Sequence, residues 1–464
     1  MHTNARTQHR PAGSLTPAST GTKRAVRTQR LASLAALLLT TSTAGAYTTF
    51  GPDGMFVFGG FAEIRLGMRS NYCADCQWIP GQSKETPWSD AVIPGREFHS
   101  VGTTFTQIHP ELAAWYPLGR GYKLGAVISQ RWRNGEIDVP NMGSSWTGYW
   151  YKKLIALNHD DFGKWQIGHM MTQAWSRSDA MGNDSSLSGP LSATGAGYGM
   201  LTNAIRYTAP TVDVAKGTMT LEFTYDRGNR NFKVHTPHFL EVYGQYKQGN
   251  WLFEGIYQTT RNGTPTAWGQ GPFRGLTPFN ADGNNPDLVE ASQGITMLMA
   301  RYELDKATEL MGAVRRNTWS GVDAVAVTTN PAGWNNMFNV DWSDVTYADG
   351  KKFPGYGANS VDLMLGFKHV SGRWTTMGGL VYLGAASTDN PSERGQSNSS
   401  LVGGFGMEYD LGNKVKLTFQ TGAVHYARLG LTPMSLGSNE GLNYSDSRIT
   451  RDSNWYTAGV VWGF

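Results

Sequence analysis

Cysteine is almost missing from this 464-residue chain, with two in all, and charged residues reach only 16%. No apolar run approaches the roughly 18 residues that a membrane-crossing helix needs, and mean hydropathy is −0.38, which together exclude a helical membrane bundle. Signature motifs are absent too. There is no Gly-x-Ser-x-Gly elbow, no His-Glu-x-x-His helix and no phosphate-cradling Gly-Lys-Ser/Thr loop. Cys73 and Cys76 form a Cys-Ala-Asp-Cys pair. Gln77 stands where a haem-attachment site needs His, and two thiols alone supply half of a zinc site. No cofactor and no metal are expected.

One end of the chain explains most of its excess base. Residues 1–30 hold Arg6, Arg10, Lys23, Arg24, Arg27 and Arg30 and no acid, ahead of the short apolar run Leu31 to Leu39. This reads as a secretory leader over residues 1–46, with Ala44-Gly45-Ala46 as the cleavage site before Tyr47. Without it, 34 bases face 36 acids, so nothing asks for a nucleic-acid partner. Export also implies an oxidising compartment, and there the Cys73/Cys76 pair is expected as an oxidised loop staple. Residues 47–464 are expected to form one domain.

Alternation fills that span. The last strand sets Tyr456, Ala458, Val460, Trp462 and the terminal Phe464 on one face, and Thr457, Gly459, Val461 and Gly463 on the other. Near the start, Phe58, Gly60, Ala62, Ile64, Leu66 and Met68 oppose Glu63, Arg65, Gly67 and Arg69. A polar row inside and an apolar row outside, with 57 glycines and 12% aromatics, fit a transmembrane β-barrel. Seven short turns, near 117–121, 160–163, 210–217, 247–250, 305–308, 370–373 and 410–413, alternate with eight long polar connections. They predict an all-β fold, a 16-stranded antiparallel barrel with short periplasmic turns and long external loops.

Local motifs then point to a family. Tyr151-Lys-Lys-Leu-Ile-Ala-Leu-Asn-His-Asp-Asp-Phe-Gly-Lys-Trp-Gln-Ile-Gly168 resembles the fourth strand, Asp-Phe-Gly turn and fifth strand of the Gram-negative general porins. Asn203-Ala-Ile-Arg-Tyr-Thr-Ala-Pro210 is similar to their sixth strand, and Pro110 to Leu124, more divergent, to an earlier hairpin. The resemblance implies a homotrimer in the cell outer membrane, in contact with lipid and lipopolysaccharide and inserted by the barrel-assembly machinery. It implies passive diffusion of ions and small hydrophilic solutes and no enzymatic activity, with Phe464 as the C-terminal assembly signal.

It also implies that Thr172 to Met200 is a third loop folded into the barrel. The loop acids Asp179 and Asp184 would then face a basic wall of Arg65, Arg69, Arg131, Arg133, Lys152 and Arg206, with His169 where the family commonly has Arg. Opposed charge rows would set a transverse field across the narrowest section. Two loop acids against several bases leave anion and cation preference both open. Other readings remain: a substrate-selective porin using loop aromatics such as Trp175 and Trp268, a plugged structural or adhesive barrel, or a hydrolase assembling Ser and His from adjacent strands, with His425 near several serines.

Overall fold

On β1 (Phe56–Tyr72) the side chains of Ile64, Leu66 and Met68 are exposed while Glu63 and Phe61 are buried, so the apolar row faces outward and the polar row inward. The same two-residue period shapes every later strand of the computed structural model. It describes residues 46–72, 98–134, 149–187, 189–192, 194–228, 238–261, 292–321, 356–388, 397–428 and 451–464. The Cys73/Cys76 pair, nearly all of the 1–46 leader, Trp268 and most of the long connections lie outside these residues.

The wall continues through β2 (Phe98–Gly119), β3 (Tyr122–Asn134), β4 (Tyr149–His159), β5 (Gly163–Met171), β6 (Met200–Thr208), β7 (Gly217–Asp226) and β8 (His238–Gln248). It then passes through β9 (Trp251–Arg261), β10 (Ser292–Glu303), β11 (Thr308–Gly321), β12 (Tyr356–Ser371), β13 (Trp374–Leu383), β14 (Ser400–Gly412), β15 (Val415–Tyr426) and β16 (Asp452–Gly463). Each strand pairs antiparallel with the next. β16 pairs with β1 from Asp452↔Tyr72 to Gly463↔Phe61. Phe464 and Gly60 then exchange both backbone hydrogen bonds, at 3.0 and 3.1 Å. Closure leaves no strand edge for lipid to meet. Three short pieces extend the sheet: Ala46–Phe50 along the start of β1, Val212–Val214 beside β7, and Ser387–Thr388 beside β12.

The strand number, the antiparallel order and the seven short turns agree with the reading from alternation. Their conformations follow from their residues. Asn413 and Lys414 take φ values of 51° and 66°, and such paired left-handed residues match the twist of a tight hairpin.

Outside, Leu365, Leu380, Leu298 and Ile155 are exposed in a belt that suits hydrocarbon. Next to the short turns, Trp165 packs on Tyr207, Trp251 on Tyr302 and Trp374 on Tyr409, with ring centroids 4.6, 4.5 and 4.7 Å apart. These cross-strand pairs form an aromatic girdle at one interface. Trp175, Trp319 and Trp455 are not part of it; they are buried.

Candidate functional site

Thr172 ends β5 and starts the one helix among the described residues, α1 (Gln173–Asp184), by accepting the Trp175 amide at its Oγ1, 3.1 Å away. The next two donors of the helix start find a carboxylate. Glu241 on β8 accepts the Gln173 amide at 2.8 Å and the Ala174 amide at 3.0 Å, where the helix dipole favours negative charge. The segment from Thr172 to Met200 therefore runs along the inner wall. Ala174, Met181, Leu187, Leu191 and Ala196 join one apolar cluster with Ile256, Met297, Met311, Val381 and Val402 of that wall.

Where the helix ends, the wall is made of glycine. A Cβ at Gly366 would stand 2.7 Å from the Ser185 Cβ, and one at Gly404 2.4 Å from the Ser186 carbonyl oxygen. Gly379 and Gly406 are similarly close to Leu187 and Ser186, so the turn lies directly on the backbone of β12, β13 and β14.

Polar wall residues secure the return path. Arg315 on β11 donates to the Leu191 carbonyl, to the Thr194 carbonyl at 3.0 Å and to the Thr194 hydroxyl at 2.7 Å, and its guanidinium is held by Asp362 on β12 at 2.7 and 3.0 Å. Asn317 accepts the Ala196 amide at 3.0 Å, and Gln258 accepts the Tyr198 amide at 2.7 Å. Both Arg315 and Asp362 are fully buried, so each supplies the charge that makes burial of the other tolerable.

The loop acids expected to face a basic wall are tied down instead. Asp184 pairs with Arg301 and Lys368 on β10 and β12, each at 2.7 Å. Asp179 accepts from Asn183 at 3.2 Å and from Ser192 at 3.1 Å within the loop itself. Three of the bases named from the sequence pair with acids, and a fourth lies on an aromatic ring. Arg65 pairs with Glu63 at 2.9 Å and reaches Gln420 at 3.3 Å; Lys152 pairs with Glu111 at 2.8 Å. Arg206 sits 3.0 Å from Glu222 and donates to the Met171 carbonyl at 2.7 Å, and Arg131 lies over the Tyr151 ring at 4.5 Å. At Arg65, Lys152 and Arg206 the wall thus carries local ion pairs.

His169 departs from its expected place. Gln166 and Met170 are buried at inward positions, and His169, at a register shift between Gly168 and Met170, pairs in the ladder with the exposed Lys153. Arg69 and Arg133 stand opposite Trp455 and Gln107 in their ladders, and their side chains lie outside the described residues. His425 pairs with Asp452 at 2.6 Å, both exposed. Sequence reasoning did not single out Glu241, Arg301, Arg315 and Lys368, which hold the loop. Alternation alone would have put all four on inward positions.

No family model matches the chain, and no curated protein matches it. Solved structures do. The anion-selective porin from Comamonas acidovorans superposes with a TM-score of 0.51 at 12% identity, over 88% of this chain and 99% of that one. The outer membrane channel DcaP of Acinetobacter baumannii gives 0.49 at 8% identity, over 90% and 100%. A mutant Rh. blastica porin gives 0.41 at 11% identity, over 88% and 100%. The fold is therefore a porin-like, 16-stranded transmembrane barrel with a lipid-facing belt.

Proposed function

We propose that the chain is an outer-membrane porin of the general, trimeric kind, a water-filled channel for passive diffusion of ions and small hydrophilic solutes. One observation carries this reading: the Thr172 to Met200 segment is fastened to one side of the lumen, while partly exposed charged side chains such as Arg65 and Lys152 line the other. A barrel serving only as scaffold has no use for charged heads at membrane depth, since water must solvate them there. Reconstitution into planar bilayers should give stepwise conductance, and liposome swelling should fall off with solute size. A silent membrane with folded protein would sink this reading.

Enzymatic chemistry is not part of the proposal. Ser129 and His109 do pair at 2.7 Å, but both are buried, and the Tyr151 ring is 4.4 Å from His109. Trp175 is likewise buried against Tyr151, so it does not line a solute track. The leader at 1–46, the Cys73/Cys76 staple and assembly through Phe464 belong to the same reading.

Within the same reading, the outer face of β3 to β5 is the contact between copies of the trimer. Lys153 points outward, its ammonium 5.1 Å from the Trp150 ring, and pairs in the ladder with Ile128 and His169. Ile128 is about seven residues up from the periplasmic turn, roughly 17 Å along a tilted strand, well inside an apolar band about 25 Å tall. A lysine facing lipid there costs about 2–4 kcal/mol. A neighbouring copy removes that cost by covering it. Lys153→Glu should shift the protein from trimer to monomer on native gels; an unchanged trimer would remove this face from the interface.

A further inference from the structure

The inward acids and bases occur in pairs, but the two signs are not equally available to water. Arg65 keeps 27% of its side chain exposed against 2% for its partner Glu63. Arg177 keeps 18% against 5% for Glu254, and Lys368 keeps 34% against 12% for Asp184. The acids are recessed because the wall supplies them with donors: Gln107 and Arg65 hold Glu63, and the Tyr243 hydroxyl donates to Glu254 at 2.7 Å. The bases have longer stems and extend their heads toward water. Asp184 takes both Arg301 and Lys368 on one carboxylate, and Arg301 is shared with Glu309. The ordering reverses at Glu309, which is more exposed than Arg301 and directly follows the short turn before β11. Elsewhere the bases are in front: Arg65 at mid-wall, Arg177 on the loop helix, and Lys368 near the turn, opposite Glu309 in the ladder.

A solute in the lumen therefore meets the basic head at contact and the carboxylate behind it, and Coulomb energy falls with distance. Balanced pairs arranged in this way act on passing ions as a positive surface. We propose that this channel is selective for anions, with Arg65 and Lys368 as the residues that set the preference. The inference rests on the channel reading above and adds the sign of the permeant solute.

Recording the purified protein in a planar bilayer under a potassium chloride gradient tests it. The reversal potential is expected to take the sign of chloride permeation, with a chloride to potassium permeability ratio above about 2. Reversal with the sign of potassium permeation overturns the inference and leaves the channel reading standing. A silent membrane overturns the channel reading and this inference with it. Arg65→Gln combined with Lys368→Gln should lower the ratio by about twofold or more; Asp184 keeps Arg301, so the loop stays fastened. An unchanged ratio in a variant that still shows heat-modifiable gel mobility overturns the assignment to these two residues.

Discussion

Between β8 and β14 most inward positions that meet the loop are apolar or glycine, as with Met297, Met311, Val381 and Gly404; of the charges there Glu241, Arg315 and Asp362 are sealed from water, and Arg301 and Lys368 hold Asp184 close to the short turns. From β15 through β1 to β4 the inward positions carry Gln420, Glu63, Arg65, Glu111 and Lys152, and several of those heads reach water. Both arcs obey one two-residue period. The difference lies in what the inner row is complementary to: on the first arc it matches a protein surface, on the second it matches solvent. A barrel can thus carry a second core without losing its channel, provided that core is kept to one side.

The sharpest way to break this comparison is to empty the sealed pair. Arg315→Met removes the donors to Leu191, Thr194 and Asp362 together and leaves the buried Asp362 carboxylate without that cation, facing the neutral donors of Asn317 and Gly384. Losing one partner of a buried pair costs about 3–5 kcal/mol. The expected outcome is a lower unfolding midpoint in urea and a larger, noisier single-channel conductance as the loop leaves the wall. The double variant Arg315→Met, Asp362→Leu should recover part of the stability but not the loop contacts.

Bulk at the glycine floor comes next in size. A side chain at Gly404 would collide with the Ser186 carbonyl, so Gly404→Val should displace the turn and cost about 1–3 kcal/mol. Conductance is expected to change with it. The same substitution at Gly403, whose nearest neighbour is Leu380 on the outer face, should leave conductance alone. Equal effects at the two sites would mean that the loop does not rest on this floor.

Removing the charge at the start of α1 is a milder perturbation. Glu241→Gln leaves one acceptor oxygen where two took the Gln173 amide and the Ala174 amide, and it loses the charge that complements the helix dipole and Arg206. An effect of about 0.5–2 kcal/mol is expected, read as a modest fall in the urea midpoint.

These residues also mark how far the sequence could be read. Strand number, turn positions and the inward row of β1 come from local period and punctuation, so they were legible, and the likeness to porin strands added the limits of the loop. The loop's fastening was not. Asp184 meets Arg301 and Lys368 across 117 and 184 positions of chain, and no local pattern carries such pairing. Two loop acids read in isolation looked like one side of a transverse field; in the fold Asp184 is paired with bases of the wall it rests on, and Asp179 is held by Asn183 and Ser192 of the loop. His169 shows a different failure. Counting from Gln166 puts it outward, and only the likeness to porin strands set it among the lumen bases.

The smallest effect expected separates the depth of a pair from its mere presence. Lys416 and Glu408 pair at 2.8 Å with side chains 31% and 27% exposed, beside the short turn between β14 and β15. Both signs reach water almost equally there, so the pair presents little net charge to a solute, and such exposed pairs add only about 0–1 kcal/mol to stability. Lys416→Gln should leave both the urea midpoint and the reversal potential within error, while Arg65→Gln, whose partner acid is recessed, should move the reversal potential toward zero. Should the two substitutions shift it equally, the recess of the acids would have no bearing on selectivity, and the count of charges would be what matters.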